Sequence, residues 1–366
     1  MGHQKGPLWK GLISQSITRP QDLPESFEID APGLEDVVSR YPMRINPYYL
    51  SLIKARGDAI YRQCIPELDE LVDQRGVEDP LNEDGHSPVP GLTHRYPDRV
   101  LFLVSSRCPV YCRFCNRKRK VGNASMVTEE SIREGILYIR SQKEIRDVLL
   151  SGGDPLLLEN KELFHILTEV RSLPHVEIIR IGTRVPCTLP QRVTPQLAGV
   201  LRKFHPLYIL THFNHPDEIT PDAALACGRL ANAGIPLGSQ TVLLKGVNDD
   251  PLIIKKLMQK LLSIRVRPYY LFQPDLAKAT AHFWTPLRKG LQIMAGMQGH
   301  TSGLCMPHFA IDLPGGGGKV PLLPEYVKDA DGDSLLIRNY LGREHRYPLY
   351  SEPELNESWH KKGEEL

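Results

Sequence analysis

The stretch Val104-Ser-Ser-Arg-Cys108-Pro-Val-Tyr-Cys112-Arg-Phe-Cys115-Asn-Arg-Lys118 decides how this chain is read. Its cysteines are spaced C-x3-C-x2-C and follow directly on the apolar run Val100–Val104. Three thiolates can hold three irons of a four-iron cluster and leave the fourth iron open for another ligand. A ferredoxin cluster takes four cysteines, and a structural zinc takes four ligands. No fourth cysteine lies nearby; His94 and Cys64 are the nearest other candidates, and neither has finger-like spacing. Free cysteines also pack as small hydrophobes. Yet the three fall in one short loop of a chain with 7 cysteines in all, which points to ligation. An open iron can bind and reduce S-adenosylmethionine, so the segment implies radical chemistry in a reducing compartment.

Working outward, the sequence from about residue 98 alternates strand-like and helix-like segments. Apolar runs occur at Val100–Val104, Val148–Leu150, Val176–Ile181, Leu207–Leu210, Gln240–Leu244, Tyr269–Phe272 and Phe309–Leu313. Helical spacing occupies Glu129–Arg140, Lys161–Ser172, Pro221–Ala233, Pro251–Ser263 and Thr285–Met297. A repeat of roughly 30 residues per strand–helix unit predicts βαβ crossovers and a parallel sheet. Ligand sites of such folds sit at the C-terminal ends of the strands. Cys108, Asp154, Arg184, His212, Asp275 and Asp312 all fall at or just past such ends. Residues 1–92 form a helical accessory region broken by prolines. Residues 321–366 form a charged, proline-dotted tail with an expected edge strand at Leu335–Asn339 and a possible contact with a neighbouring subunit.

Composition narrows the function classes. The chain has 366 residues and a formal net charge of +2, so no broad positive field favours nucleic acid or anionic membrane. No apolar stretch approaches the ~18 residues of a membrane span, and Met1–Ser14 lacks the pattern of a secretory signal. A cytoplasmic protein is expected, without a disulfide framework. Cys64, Cys187 and Cys227 read as core residues. The basic run Arg117-Lys-Arg-Lys120, directly after the last cysteine, reads as a binder of anions near the cluster.

The run Pro314-Gly-Gly-Gly-Gly-Lys319-Val320 follows the last apolar strand. A phosphate-binding Walker loop requires Ser or Thr after the lysine, and this chain has Val320. Four glycines instead let the backbone approach a planar ligand closely, and a lysine placed there suits a Schiff base with pyridoxal phosphate.

The cysteine triad with Phe114 before its last member has the pattern of the radical S-adenosylmethionine superfamily. Together with the glycine–lysine run, the chain resembles the lysine 2,3-aminomutase family from about Thr93 to Val327. Matching blocks include Thr93-His-Arg-Tyr-Pro-Asp-Arg99, Ser151-Gly-Gly-Asp-Pro155, Gly182-Thr-Arg-Val-Pro186, Thr211-His-Phe-Asn-His-Pro216, Arg267-Pro-Tyr-Tyr270 and Gly299-His-Thr-Ser-Gly303. The resemblance implies an α/β fold, a partial (β/α)6 crescent barrel over residues 93–320. It implies a [4Fe-4S] cluster on Cys108, Cys112 and Cys115, with S-adenosyl-L-methionine beside Ser151, Gly152, Gly153 and Asp154. Pyridoxal 5′-phosphate is implied on Lys319, near Arg95 and Arg99, with His212 and Gln240 as further cofactor-pocket residues. Arg117 matches the family arginine for the substrate α-carboxylate. Asp275 and Asp312 match the two aspartates for the substrate side-chain ammonium. Two neighbouring carboxylates away from bulk water call for a cation between them.

The implied reaction is an isomerisation, L-lysine to β-lysine, through a pyridoxal phosphate aldimine and a 5′-deoxyadenosyl radical. It implies an electron donor such as flavodoxin or ferredoxin and a homo-oligomer, dimer or tetramer. Alternatives are an aminomutase for arginine, ornithine or glutamate, and a non-catalytic iron–sulfur protein. No cysteine follows Cys305, so the subunit-bridging zinc site of longer clostridial relatives is not expected.

Overall fold

In the computed structural model of the protein, residues 7–349 are described. Nine strands form one sheet in strict sequence order: β1 (Leu92–Tyr96), β2 (Arg99–Ser105), β3 (Asp147–Gly152), β4 (Ile178–Thr183), β5 (Leu207–Thr211), β6 (Leu237–Val242), β7 (Arg267–Phe272), β8 (His308–Leu313) and β9 (Gly318–Pro321). Strands β2 to β8 run parallel, each pairing with the next. The flanking strands are antiparallel, β1 on β2 and β9 on β8. Among the described residues β1 and β9 do not pair, so the sheet is an open crescent.

One main helix covers each crossover: Glu129–Ser141, Asn160–Arg171, Pro195–Leu201, Pro221–Asn232, Pro251–Ser263 and Leu287–Met297. Local chemistry starts them. Thr128 and Ser131 form a reciprocal capping box, Thr220 caps through Ala223 N, and Asp250 accepts from Leu252 N and Ile253 N. Their apolar faces join the strands in one core that includes Val148, Ile179, Ile181, Ile209, Leu257 and Phe309. The expected (β/α)6 crescent is therefore the observed architecture, with β8 added after the last helix. The helix Pro195–Leu201 escapes the periodicity because it is short and contains Gly199. Strand β6 starts at Leu237, before the expected run Gln240–Leu244, because Gly238 and Ser239 interrupt the apolar pattern inside it.

The N-terminal residues pack into this core rather than beside it: Trp9, Phe27, Ile45, Tyr49 and Ile65 belong to it. The tail differs from expectation. Leu335–Asn339 is not an edge strand of the main sheet. It falls on β11 (Ser334–Arg338), the middle of a separate antiparallel sheet with β10 (Val327–Asp331) and β12 (Glu344–Pro348). The short connections at 332–333 and 339–343, the second turning on Gly342 at positive φ, join neighbouring antiparallel strands as local hairpins. The tail beyond 349 lies outside the described residues.

Candidate active site

The crescent encloses a cavity of about 1000 Å³. That is the top of the range of about 300 to 1,000 Å³ for small-molecule sites. Every residue expected at the site lines this one cavity: Cys108, Cys112 and Cys115; Ser151 to Asp154; Arg95, Arg99 and Arg117; His212 and Gln240; Asp275, Asp312 and Lys319. The loops after β2, β3, β4, β5 and β7 and the end of β8 open on the C-terminal side of the sheet, while Arg95, Arg99, Gln240 and Lys319 reach the cavity from within β1, β2, β6 and β9.

The cysteine loop leaves β2 and carries three free thiols. Burial, then the neighbouring Cys112, pushes the Cys115 thiol up to about 11; burial, then Asp154, pushes up Cys108. Such thiols give up their protons to a metal. Among the described residues no three His, Cys, Asp or Glu side chains are arranged to hold a single metal ion. A cluster makes a different demand, since each thiolate takes a separate iron, and three free cysteines in one cavity-facing loop fit it.

Behind the thiols the chain comes very close to itself. Gly152 has φ of +125°, and a Cβ there would meet Ser105 O at 2.1 Å; one on Gly153 would meet Arg107 O at 2.4 Å. These glycines let the end of β3 lie against the start of the cysteine loop. Asp154 follows, but its carboxylate is already engaged. Oδ1 accepts from Thr183 Oγ1 (2.7 Å) and Leu156 N (3.0 Å), and Oδ2 from Arg184 N (2.8 Å) and Val185 N (3.1 Å). Asp154 thus ties the ends of β3 and β4 together. Burial raises its carboxyl to about 6, opposed by these hydrogen bonds.

Lys319 and Asp312 face each other across the β8–β9 ladder. Lys319 Nζ donates to Asp312 Oδ1 (2.8 Å) and Oδ2 (2.7 Å) and lies 4.9 Å from the centre of the Phe272 ring. Tyr96 Oη accepts from Lys319 N at 2.9 Å. The glycine run is the connection between the two strands. Gly315, Gly316 and Gly318 all have positive φ, and Gly316 lies against the His86 ring. The requirement visible in the fold is the turn itself.

Asp275 Oδ2 accepts from Asn116 Nδ2 at 2.6 Å. Burial, then the Asp312 carboxylate, raises Asp275 to about 6. Arg95 has a buried Nε with no partner, and Arg99 stacks over Tyr96 at 3.9 Å and pairs with Asp98. A guanidinium N–H without a partner and a lysine amine lining the same cavity fit an anionic aldehyde cofactor. His212 shares a hydrogen bond with Asn214 Oδ1 at 2.9 Å; burial, then Arg184, lowers it to about 4, so the ring is neutral.

The basic run is corrected by the structure. Lys118 pairs with Glu70 (2.9 Å), Arg119 with Asp79 (2.8 Å), Lys120 with Asp84 (2.9 Å) and Arg117 with Glu83 (2.6 Å). The run is not a free anion binder; it rivets the cysteine loop to residues 70–84. Arg117 alone of the four lines the cavity. Cys64, Cys187 and Cys227 are buried core residues, as expected. His215 accepts from Asp217 N and caps a turn. Asn116 and Arg184 received no role from the sequence; their signal was position alone, directly after Cys115 and directly after β4.

Comparison with known proteins agrees with this geometry. The radical SAM superfamily model matches residues 102–255 and the lysine-2,3-aminomutase model residues 294–363. The L-lysine 2,3-aminomutase of Clostridium subterminale is 47% identical over 352 residues, covering 94% of this chain and 84% of that protein. That of Methanococcus maripaludis is 49% identical, covering 91% and 79%. The glutamate 2,3-aminomutase of Clostridioides difficile is 44% identical, covering 92% and 81%. With the thiol loop, the lysine of β9 and the paired aspartates around one cavity, the chain belongs to the lysine 2,3-aminomutase family of radical S-adenosylmethionine enzymes.

Proposed function

We propose that this protein is an isomerase that moves the α-amino group of L-lysine to the β-carbon. The observation that carries the substrate assignment is the pair Asp275 and Asp312, two carboxylates in one cavity with a lysine ammonium already seated on Asp312. A substrate with a cationic side chain supplies the charge they require. A glutamate side chain would add a third carboxylate, which disfavours that alternative.

When bound, the cluster and S-adenosylmethionine supply a carbon-centred radical, and pyridoxal phosphate supplies an aldehyde and a conjugated ring that spreads the unpaired spin. The chain does the rest. Cys108, Cys112 and Cys115 hold the cluster, and the Ser151–Asp154 turn shapes the wall for S-adenosylmethionine. Lys319 holds the pyridoxal group, with Arg95 and Arg99 near its anionic end. Neutral His212 and Gln240 offer hydrogen bonds without charge. Asp275, oriented by Asn116, and Asp312 grip the substrate ammonium, while Arg117 presents its remaining fork edge to the α-carboxylate. The strand ends of the crescent fix the distances between these groups. In this reading residues 93–320 form the catalytic core, residues 1–92 brace it, and residues 321–366 serve subunit contact in a dimer or tetramer. A flavodoxin or ferredoxin supplies the electron.

The test is anaerobic reconstitution with iron, sulfide and pyridoxal phosphate, followed by incubation with lysine, arginine, ornithine and glutamate in turn. β-Lysine from lysine alone is the expected product. Lys319→Ala should keep the cluster spectrum and lose both borohydride-trapped pyridoxal and β-lysine. Undiminished rearrangement by that variant, or turnover of glutamate in preference to lysine, rejects the assignment.

A further inference from the structure

One buried charge is not used by the chemistry above. Arg184, directly after β4, is almost fully buried. Its Nη1 donates to Cys112 Sγ at 2.8 Å. Its Nη2 is held by Glu218 Oε1 (2.7 Å), Tyr49 Oη (3.1 Å) and Gln63 Oε1. Glu218 is itself completely enclosed and fixed. It accepts from Tyr49 Oη at 2.7 Å, from Asn214 N at 2.6 Å and from His215 N at 2.9 Å. The Arg184 backbone is held in turn by Asp154. The guanidinium therefore cannot swing away from the sulfur, and its position is set by residues from four separated segments of the chain.

In the iron-loaded protein Cys112 Sγ stands for a cluster thiolate. We propose that Arg184 is a positioning residue that sets the reduction potential of the cluster, through a charged hydrogen bond to the Cys112 sulfur backed by Glu218. The inference rests on the reading of the three cysteines as cluster ligands. One electron from a low-potential donor adds one negative charge to the cluster. A guanidinium N–H at a ligand sulfur stabilises that added charge and raises the potential, because hydrogen bonds to sulfur and nearby charge are what set it. Glu218 tempers the effect. Its carboxylate lies behind the guanidinium, so the pair is formally neutral with its positive end toward the sulfur. The Arg184 guanidinium also lies 5.1 Å from the centre of the Phe114 ring.

This arrangement makes a prediction in two opposite directions. Full-length protein, reconstituted anaerobically, is titrated with dithionite in the presence of mediators, and the reduced cluster is followed by electron paramagnetic resonance. Arg184→Gln should move the midpoint potential to more negative values. Glu218→Gln should move it to less negative values, because the cation then loses its counter-charge. Arg184→Lys keeps the charge without the fork and should fall between Arg184→Gln and wild type. A merely structural role for the pair has no reason to give shifts of opposite sign. With iron content equal to wild type, an unshifted Arg184→Gln, or shifts of the same sign in Arg184→Gln and Glu218→Gln, overturns the proposal. If Arg184→Gln does not fold, an unshifted Glu218→Gln overturns it equally. Wild-type protein that binds no four-iron cluster would overturn the underlying reading as well, and is recognised by its iron content before any titration.

Discussion

Replacing Asp275 by asparagine is expected to push stability and substrate binding in opposite directions. Burial, reinforced by Asp312, lifts this carboxyl from an ordinary 3.8 to about 6. Each pKa unit corresponds to about 1.4 kcal/mol, so keeping Asp275 ionised costs the empty protein up to about 3 kcal/mol, less whatever cavity water screens. The folded form binds this proton more tightly than the unfolded form does. The group therefore favours folding fully below about pH 4, and that contribution fades as pH rises through about 6. Asparagine retains an oxygen for Asn116 Nδ2 and carries no charge. In urea unfolding of the apoprotein, Asp275→Asn should exceed wild type at pH 8 by up to about 3 kcal/mol and match it near pH 4. The same substitution removes half of the carboxylate pair, so KM for lysine should rise about tenfold for every 1.4 kcal/mol of pairing lost. In wild type, KM should climb as pH falls through about 6, when the carboxyl takes up its proton. A variant less stable than wild type at pH 8, or a stability gap equal at both pH values, would refute the reasoning.

Four other outcomes can be checked independently. Glu70→Ala leaves Arg113 and Lys118 without their buried counter-ion and should lower unfolding free energy by about 3–5 kcal/mol in urea. Gly152→Ala forces a Cβ against Ser105 O and should destabilise by roughly 2–4 kcal/mol. Gly199→Ala, in a helix with nothing within 4 Å of the new methyl, should instead stabilise by about 0.5–1 kcal/mol, measured the same way. Asn116→Ala removes the donor that orients Asp275 and should raise KM for lysine while leaving the cluster absorbance unchanged.

Much of this architecture was legible because it is written in local signals. The alternation of apolar runs and 3.6-period helices reports crossovers directly, and a cysteine triad or a glycine-rich hairpin needs no distant partner to be noticed. What could not be read depends on contacts between remote segments. Nothing near Arg117–Lys120 announces Glu70, Asp79, Glu83 and Asp84 as partners, so a set of internal ion pairs looked like a free basic patch. The family resemblance puts Asp154 beside S-adenosylmethionine, but it does not disclose the four protein donors, Leu156, Thr183, Arg184 and Val185, that engage its oxygens. Arg184 reads as a strand-end residue without a role, because its partners come from residues 49, 63, 112 and 218. The tail was misjudged for another reason. A short apolar segment specifies a strand but not the sheet it joins.

The ladder between β8 and β9 has a consequence for how this enzyme could change its diet. Asp312 and Lys319 sit directly opposite one another, so under the proposed function the residue for the substrate's charge and the residue for the cofactor share a single cross-strand rung. Sliding one strand by a single position would turn either side chain to the other face of the sheet. The length of the glycine connection therefore acts as a ruler. Descendants with new substrates can alter the chemistry of position 312, but an insertion or deletion between 313 and 318 would uncouple selectivity from cofactor attachment in one stroke.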